Sequence, residues 1–254
     1  MIDLFYICAA ALAAGFIDAV VGGGGLVQVP ALFILFPHFP VSKIIGTNRF
    51  ASFMGTAVAA YQYGQKVPIP WPTVLYAGAG AGVMSFAGAT VSSYIRAEVL
   101  KPIILVLMLL IGGYSFFNKT LGQSENLRVL RVQIPIYGLI IGMTTGFYNG
   151  FVGPGTGSLL VFGFVSIVGF SFLMSSAVSK IINVIADVAS LVFFLANDFV
   201  DFKIALPMMA CNMIGSLVGS RMALLRGNSF VRTMFLAVIF GLILRFGYGI
   251  LFGK

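Results

Sequence analysis

Gly15-Phe16-Ile17-Asp18-Ala19-Val20-Val21-Gly22-Gly23-Gly24-Gly25 stands near the start of the chain, and Gly146-Phe147-Tyr148-Asn149-Gly150-Phe151-Val152-Gly153-Pro154-Gly155-Thr156 near its middle. Both stretches open on Gly-Phe, carry a polar residue in fourth place and close on a glycine-rich break, at an offset of 131 residues (146 − 15). The same offset pairs Arg49 with Lys180, Ser85 with Ser216 and Gly88 with Gly219. A register held across half the chain predicts a duplication. In an apolar chain, two fused copies of one helical unit, each with a glycine break, follow the plan of a transporter whose substrate sits where the broken segments meet.

Hydrophobic residues make up 59% of the 254 and charged ones 9%, with a mean hydropathy of +1.05. So little polar surface cannot cover a water-soluble globule, and the composition predicts an integral membrane protein. Charge interrupts Leu4 to Ser42 only at Asp18 and Ala51 to Tyr94 only at Lys66. Apolar runs of ~20 residues suit bilayer-crossing helices, and their continuity argues against the alternating pattern of a membrane β-barrel. A formal charge of +8 would suggest nucleic acid in a soluble domain, but in a membrane chain Lys and Arg belong at helix ends and loops. No nucleic-acid partner is expected. No Lys or Arg precedes Lys43, so the first segment does not read as a cleaved signal peptide. Cys8 and Cys211 sit inside apolar runs without metal-ligand spacing, and neither a metal nor a cofactor is expected.

The expected fold is all-α and polytopic, with two homologous halves: residues 1–117 as the first transmembrane repeat, 118–133 as a polar linker and 134–254 as the second repeat. The candidate spans are Leu4–Val21, Ile44–Tyr63, Pro72–Tyr94, Val99–Phe117, Ile134–Val152, Phe172–Ala196, Phe202–Leu224 and Val231–Phe252, about eight transmembrane helices in a 4+4 arrangement. The shorter pieces Leu26–Phe36 and Gly157–Phe170 fall short of a span and read as re-entrant or half-helices. Basic loops at matching places in the two halves favour a parallel arrangement, yet counting Lys and Arg does not separate parallel from inverted repeats.

Gly22–Gly25 and Gly153-Pro154-Gly155-Thr156-Gly157 cannot continue a helix cheaply, since glycine costs ~1 kcal/mol and proline ~3 kcal/mol relative to alanine. Opened backbone inside a bilayer must be buried in protein or line a wet cavity. The amides that start the next half-helix then favour an anion, although glycine also serves simple close packing, the reading preferred for Gly78, Gly80, Gly82 and Gly88. Arg49 and Lys180 lie about two turns into their helices. An intramembrane cation faces a cavity or a partner unless it snorkels to the surface. Asp18 and Asp187, the deep acids, are candidates for coupling, or for structural ion pairs, with Asp18 as counter-ion of Arg49 and Asp187 two turns beyond Lys180. His38, between Pro37 and Pro40, reads as an incidental loop residue.

The glycine stretch from Gly15 to Leu26, Gly46-Thr47-Asn48-Arg49 and Gly153-Pro154-Gly155-Thr156-Gly157 together resemble the sulfite exporter TauE/SafE family, within the toluene sulfonate uptake permease group of bacterial inner-membrane transporters. The resemblance covers Gly15 through at least Arg221 and implies an eight-span duplicated permease for sulfur oxyanions or organosulfonates. Asn149 stands where that family often has Asp, and Ser179 where it often has Asn. The expected substrate contacts are Gly22, Gly23, Gly24, Gly25, Asn48, Arg49, Gly153, Gly155, Thr156, Gly157, Ser179 and Lys180. No Walker A sequence is present, so the leading expectation is a secondary transporter for a small anion, in contact with membrane lipid and possible as a homo-oligomer. A channel is the alternative. An intramembrane enzyme is disfavoured, because neither Asp18 with Asp187 nor His38 sits in a protease-like setting.

Overall fold

The computed structural model describes residues 2–92 and 122–251, so the expected span Val99–Phe117 lies outside the described residues. Those residues fold into helices and no strands. Helix α1 (Ile2–Val21) ends where Gly22 and Gly23 take positive φ of 70° and 143°, a turn that only glycine makes without strain. The short α2 (Gly25–Leu35) follows, and Pro40 then starts α3 (Val41–Lys66). Pro70 precedes α4 (Trp71–Ser92), which has Pro72 in its first turn, where a missing N–H costs nothing.

The second half repeats the sequence of elements. Helix α5 (Ile134–Phe151) meets a break in which Gly153 and Gly155 have φ of 85° and 91°. Helix α6 (Thr156–Gly163) continues into a π-helical turn, Phe164–Val168, stopped by Gly169 at φ 90°. Ser171 caps α7 (Phe172–Ala196) by accepting from the Met174 amide, and α8 (Phe202–Leu251) completes the described chain. The starts of α2 and α6, α3 and α7, and α4 and α8 are each 131 residues apart, as 156 − 25, 172 − 41 and 202 − 71 show.

Two expectations change. The expected spans Phe202–Leu224 and Val231–Phe252 are joined without a loop: helix runs from Phe202 to Leu251 and bends at Gly227, whose φ of 69° and ψ of −160° are not helical. The second half-element is shorter as an α-helix than Gly157–Phe170, because the π turn takes over at Phe164. Four described helical stretches are long and apolar enough to cross a membrane: Asp3–Val21, Trp71–Ser92, Phe172–Ala196 and Phe202–Gly241. Helix α3 has the length, but Lys43, Asn48, Arg49, Gln62, Gln65 and Lys66 lower its hydropathy.

Small residues pack the helices, as expected where lipid is as apolar as the core and close backbone approach must supply the attraction. Gly138, Gly142, Gly146 and Gly150 of α5 press in turn on Thr73, Ala77, Ala81 and Ser85 of α4, so these two helices are parallel. On the other side Gly215 and Gly219 of α8 press on Leu12 and Phe16 of α1, again in parallel. Helix α3 runs alongside α8, with Thr47 at Asp201, Gly55 at Ser216 and Gln62 at Ser220. Helix α7 runs alongside α4, with Gly78 and Gly82 at Ile185 and Phe86 at Phe193. Where α3 meets α7 the order reverses: Gly46 lies at Phe194 and Arg49 at Asp187. Helices paired by the offset therefore run in opposite senses. Counting Lys and Arg leaves the sense of the halves open, and the packing of the described helices sets the paired ones in opposite senses.

Candidate functional site

Each glycine break leaves the carbonyls of one helix end and the amides of the next without intrahelical partners. At the end of α1, hydroxyls from three other helices take up the carbonyls. Tyr63 donates to Ala19 O at 3.0 Å, Ser176 to Val20 O at 3.0 Å, and Ser158 to Val21 O and Gly22 O. At the second break Thr156 Oγ1 donates to Gly153 O at 2.7 Å, Tyr148 to Pro154 O at 2.9 Å, and Arg49 Nη2 to Asn149 O. The two breaks touch. Gly22 leaves no room for a Cβ against Gly157, and Gly25 packs on Pro154, which brings the first turns of α2 and α6 to one place.

Beside them lie two three-residue clusters. Arg49 Nη1 is 2.6 Å from Asp187 Oδ1 and donates to Asn149 Oδ1 at 2.6 Å, while Asn149 Nδ2 donates to Asp187 at 3.0 Å. Lys180 Nζ is 3.1 Å from Asp18 Oδ2, which also accepts from Thr56 at 3.3 Å, and the Gly23 amide donates to Asp18 Oδ1 at 3.2 Å. The clusters correspond under the offset: 49 with 180, 149 with 18 and 187 with 56. In each, a cation from α3 or α7 reaches the first helix of the other half. Ser85 Oγ on Ala186 O and Ser216 Oγ on Gly55 O obey the same exchange. Both acids are thus ion-paired, but with partners other than those expected: Asp18 holds Lys180 instead of Arg49, and Asp187 holds Arg49 instead of the lysine two turns away on its own helix.

A polar cavity of about 30 Å³ lies between the clusters and the breaks, the room of about one water molecule. Gly23, Gly24, Gly25, Asn48, Arg49, Gly153, Gly155, Thr156 and Gly157 line it, with Asp18 and Asp187. Gly22 packs behind them, and Ser179 and Lys180 are fully buried without reaching the lining. Ser52, Thr56, Asn149, Asn183 and Asn212 also line the cavity and were not among the expected contacts. Ser52 and Asn183 follow Arg49 and Lys180 by three residues, and Thr56 and Asp187 follow them by seven. Stepping along one helix face from each cation, the step that picked out Asp187, would have found the other three as well. Among the described residues Asn48 Oδ1, Asn183 Oδ1 and Arg49 Nε are buried without a hydrogen-bond partner, so the site retains unspent polar capacity. His38 lies outside it, edge-on to Phe39, and no group of three His, Cys, Asp or Glu is assembled among the described residues.

The sulfite exporter TauE/SafE family model matches residues 7–246. The chain belongs to that family. It is 31% identical over 246 residues to a probable membrane transporter protein, ORF9, of Sinorhizobium sp, covering 95% of this chain and 91% of the relative. A probable membrane transporter protein of Haemophilus influenzae is 30% identical over 89% of this chain and 88% of its own length. For the probable membrane transporter protein YfcA of Escherichia coli K12 the figures are 30%, 92% and 85%. No solved structure matches the chain. As a TauE/SafE member with several membrane-length apolar helices, it is a multi-pass membrane transporter.

Proposed function

We propose that this TauE/SafE member is a secondary transporter of the bacterial inner membrane for small anions, sulfur oxyanions or organosulfonates, built as an inverted duplication. The observation that carries the reading is the meeting of two half-helix N-termini at one polar cavity beside two buried cations. Amides at a helix start favour negative charge, and a tetrahedral oxyanion accepts several charge-assisted hydrogen bonds. In this reading Gly25 and Gly157 present amides, Asn48 a side-chain amide, and Lys180 a charge from behind Asp18. Arg49 has less to give, because three of its hydrogen bonds already go to Asp187 and Asn149. A cavity with room for about one water is too small for a sulfonate, so the substrate requires the breaks to part. Exchange of conformation between two inverted halves provides that motion.

Counterflow tests the reading. Proteoliposomes loaded with unlabelled sulfite, thiosulfate or ethanesulfonate should transiently accumulate the labelled anion from outside, which a carrier does and a channel does not. Failure with all three anions in reconstituted, folded protein refutes it. Trp71, the single tryptophan, is exposed at the start of α4, away from the cavity, so intrinsic fluorescence is a poor reporter of binding.

A further inference from the structure

Arg49, Lys180, Asp18 and Asp187 together carry no net charge. Each cation is balanced before any substrate arrives, by a carboxylate that stands at a different repeat position in each cluster: on α1 in one, on α7 in the other. An anion entering this site therefore brings an uncompensated charge into a place with room for about one water. Resting on the anion reading above, we propose that the site takes up its anion together with a proton, and that Asp18 receives that proton.

The two acids are not equal candidates. The Asp187 carboxylate is held by the Arg49 guanidinium and the Asn149 amide, and the same guanidinium binds Asn149 O at the end of α5. Releasing Arg49 would break its bonds to Asp187 and to Asn149. Lys180 donates only to Asp18 among the described residues, which leaves further ammonium protons unspent. The Asp18 side chain is also the more open of the two, 17% exposed against 6% for Asp187. The groups facing Asp18 are Lys180 from α7, Thr56 from α3 and the Gly23 and Gly24 amides. Tyr63 of α3 lies one residue along, its hydroxyl donating to Ala19 O. Arg49 and Asp187 stand elsewhere on the cavity wall, and Asn212 of α8 is uncharged.

When an anion draws the Lys180 ammonium, Asp18 becomes a second buried negative charge beside the first. A proton from solvent converts its carboxylate to a carboxylic acid, restores neutrality and supplies an O–H that donates to the anion beside the lysine. Oδ1 goes on accepting from Gly23.

Calorimetric titration of the purified protein with ethanesulfonate, in buffers of different ionisation enthalpy, counts the protons. Ethanesulfonate keeps its single charge through the neutral range, so any proton taken up belongs to the protein. The expected result is about one proton per anion, with affinity falling about tenfold per pH unit. In Asp18→Asn the lysine is left unbalanced, and the anion should bind with no proton uptake and no pH dependence. Should that variant not fold, the wild-type proton count still decides. Binding without proton uptake by the wild type overturns the proposal and leaves the anion reading standing. Undiminished uptake in Asp18→Asn overturns the assignment to Asp18. Absence of binding for ethanesulfonate, sulfite and thiosulfate alike removes the anion reading and this proposal with it.

Discussion

Replacing Asp187 by asparagine keeps the shape of the side chain and removes one charge from the centre of the protein. Arg49 and Asp187 are 5% and 4% exposed, and their contact is 2.6 Å. An asparagine at that position still accepts a hydrogen bond, so what remains is a buried guanidinium with no counter-charge. Removing one partner of a buried pair costs about 3–5 kcal/mol, and the retained hydrogen bond places Asp187→Asn near the lower end. About 3 kcal/mol is a more than hundredfold shift in the unfolding equilibrium. The double variant Arg49→Gln, Asp187→Asn buries no charge. It loses the bond from Arg49 to Asn149 O, which is worth about 1 kcal/mol, and should recover most of the loss. Reversible unfolding of the purified protein in mixed micelles, run as a double-mutant cycle, should therefore give a coupling energy of about 2 kcal/mol or more. Additivity of the two substitutions within about 0.5 kcal/mol would refute the reasoning and leave Arg49 as a residue that solvent reaches.

Three glycine-to-alanine changes separate packing from backbone strain. Gly150→Ala drives a Cβ into the Ser85 carbonyl and should destabilise by about 1–3 kcal/mol; Gly227→Ala meets no atom within 4 Å but forces a φ of 69°, at about 1–2 kcal/mol; Gly64→Ala, inside α3 and in open space, should be neutral or stabilise by up to about 1 kcal/mol. Equal effects at the three sites, in the same unfolding assay, would refute the packing scheme. Solvent access is best probed from the cavity-lining positions Ser52 and Asn183, because a side chain at Gly24 collides with Ala14 and Asp18 and one at Gly155 is strained at φ 91°. In a protein lacking Cys8 and Cys211, Ser52→Cys and Asn183→Cys should react with a small water-soluble thiol reagent and be protected by substrate; inert thiols in folded protein would show that no aqueous path reaches the cavity.

The helical plan was legible because each boundary has a local chemical cause. Proline before α3 and α4 and glycine at both breaks set element ends that the residue types alone announce. Gly227 was not legible. A lone glycine between Arg226 and Asn228 reads as the middle of a polar loop, and only its backbone angles show a bend that keeps helix on both sides. The sense of the halves was hidden for another reason. It is written in which small residues face one another, Gly142 on Ala77 or Gly219 on Phe16, and a list of glycines does not say what each one touches.

The site was half legible, and the missing half follows a rule. Arg49 and Lys180 were found because a cation inside an apolar run is conspicuous, whereas Asn149 was noted only as a departure from the family's usual Asp. Yet Asn149 holds the place in the Arg49 cluster that Asp18 holds in the Lys180 cluster, and Asp187 holds the place of Thr56. The acid has changed address between the two clusters while the charge of each has stayed at zero. Within one half this looks like a lost carboxylate at position 149 and an unexplained one at position 187. Because each cation reaches across to the other half's first helix, the compensation becomes visible only when the two halves are laid over each other in opposite senses. Positions 131 residues apart then differ in residue identity, Asp18 against Asn149 and Thr56 against Asp187, while each cluster pairs one cation with one carboxylate.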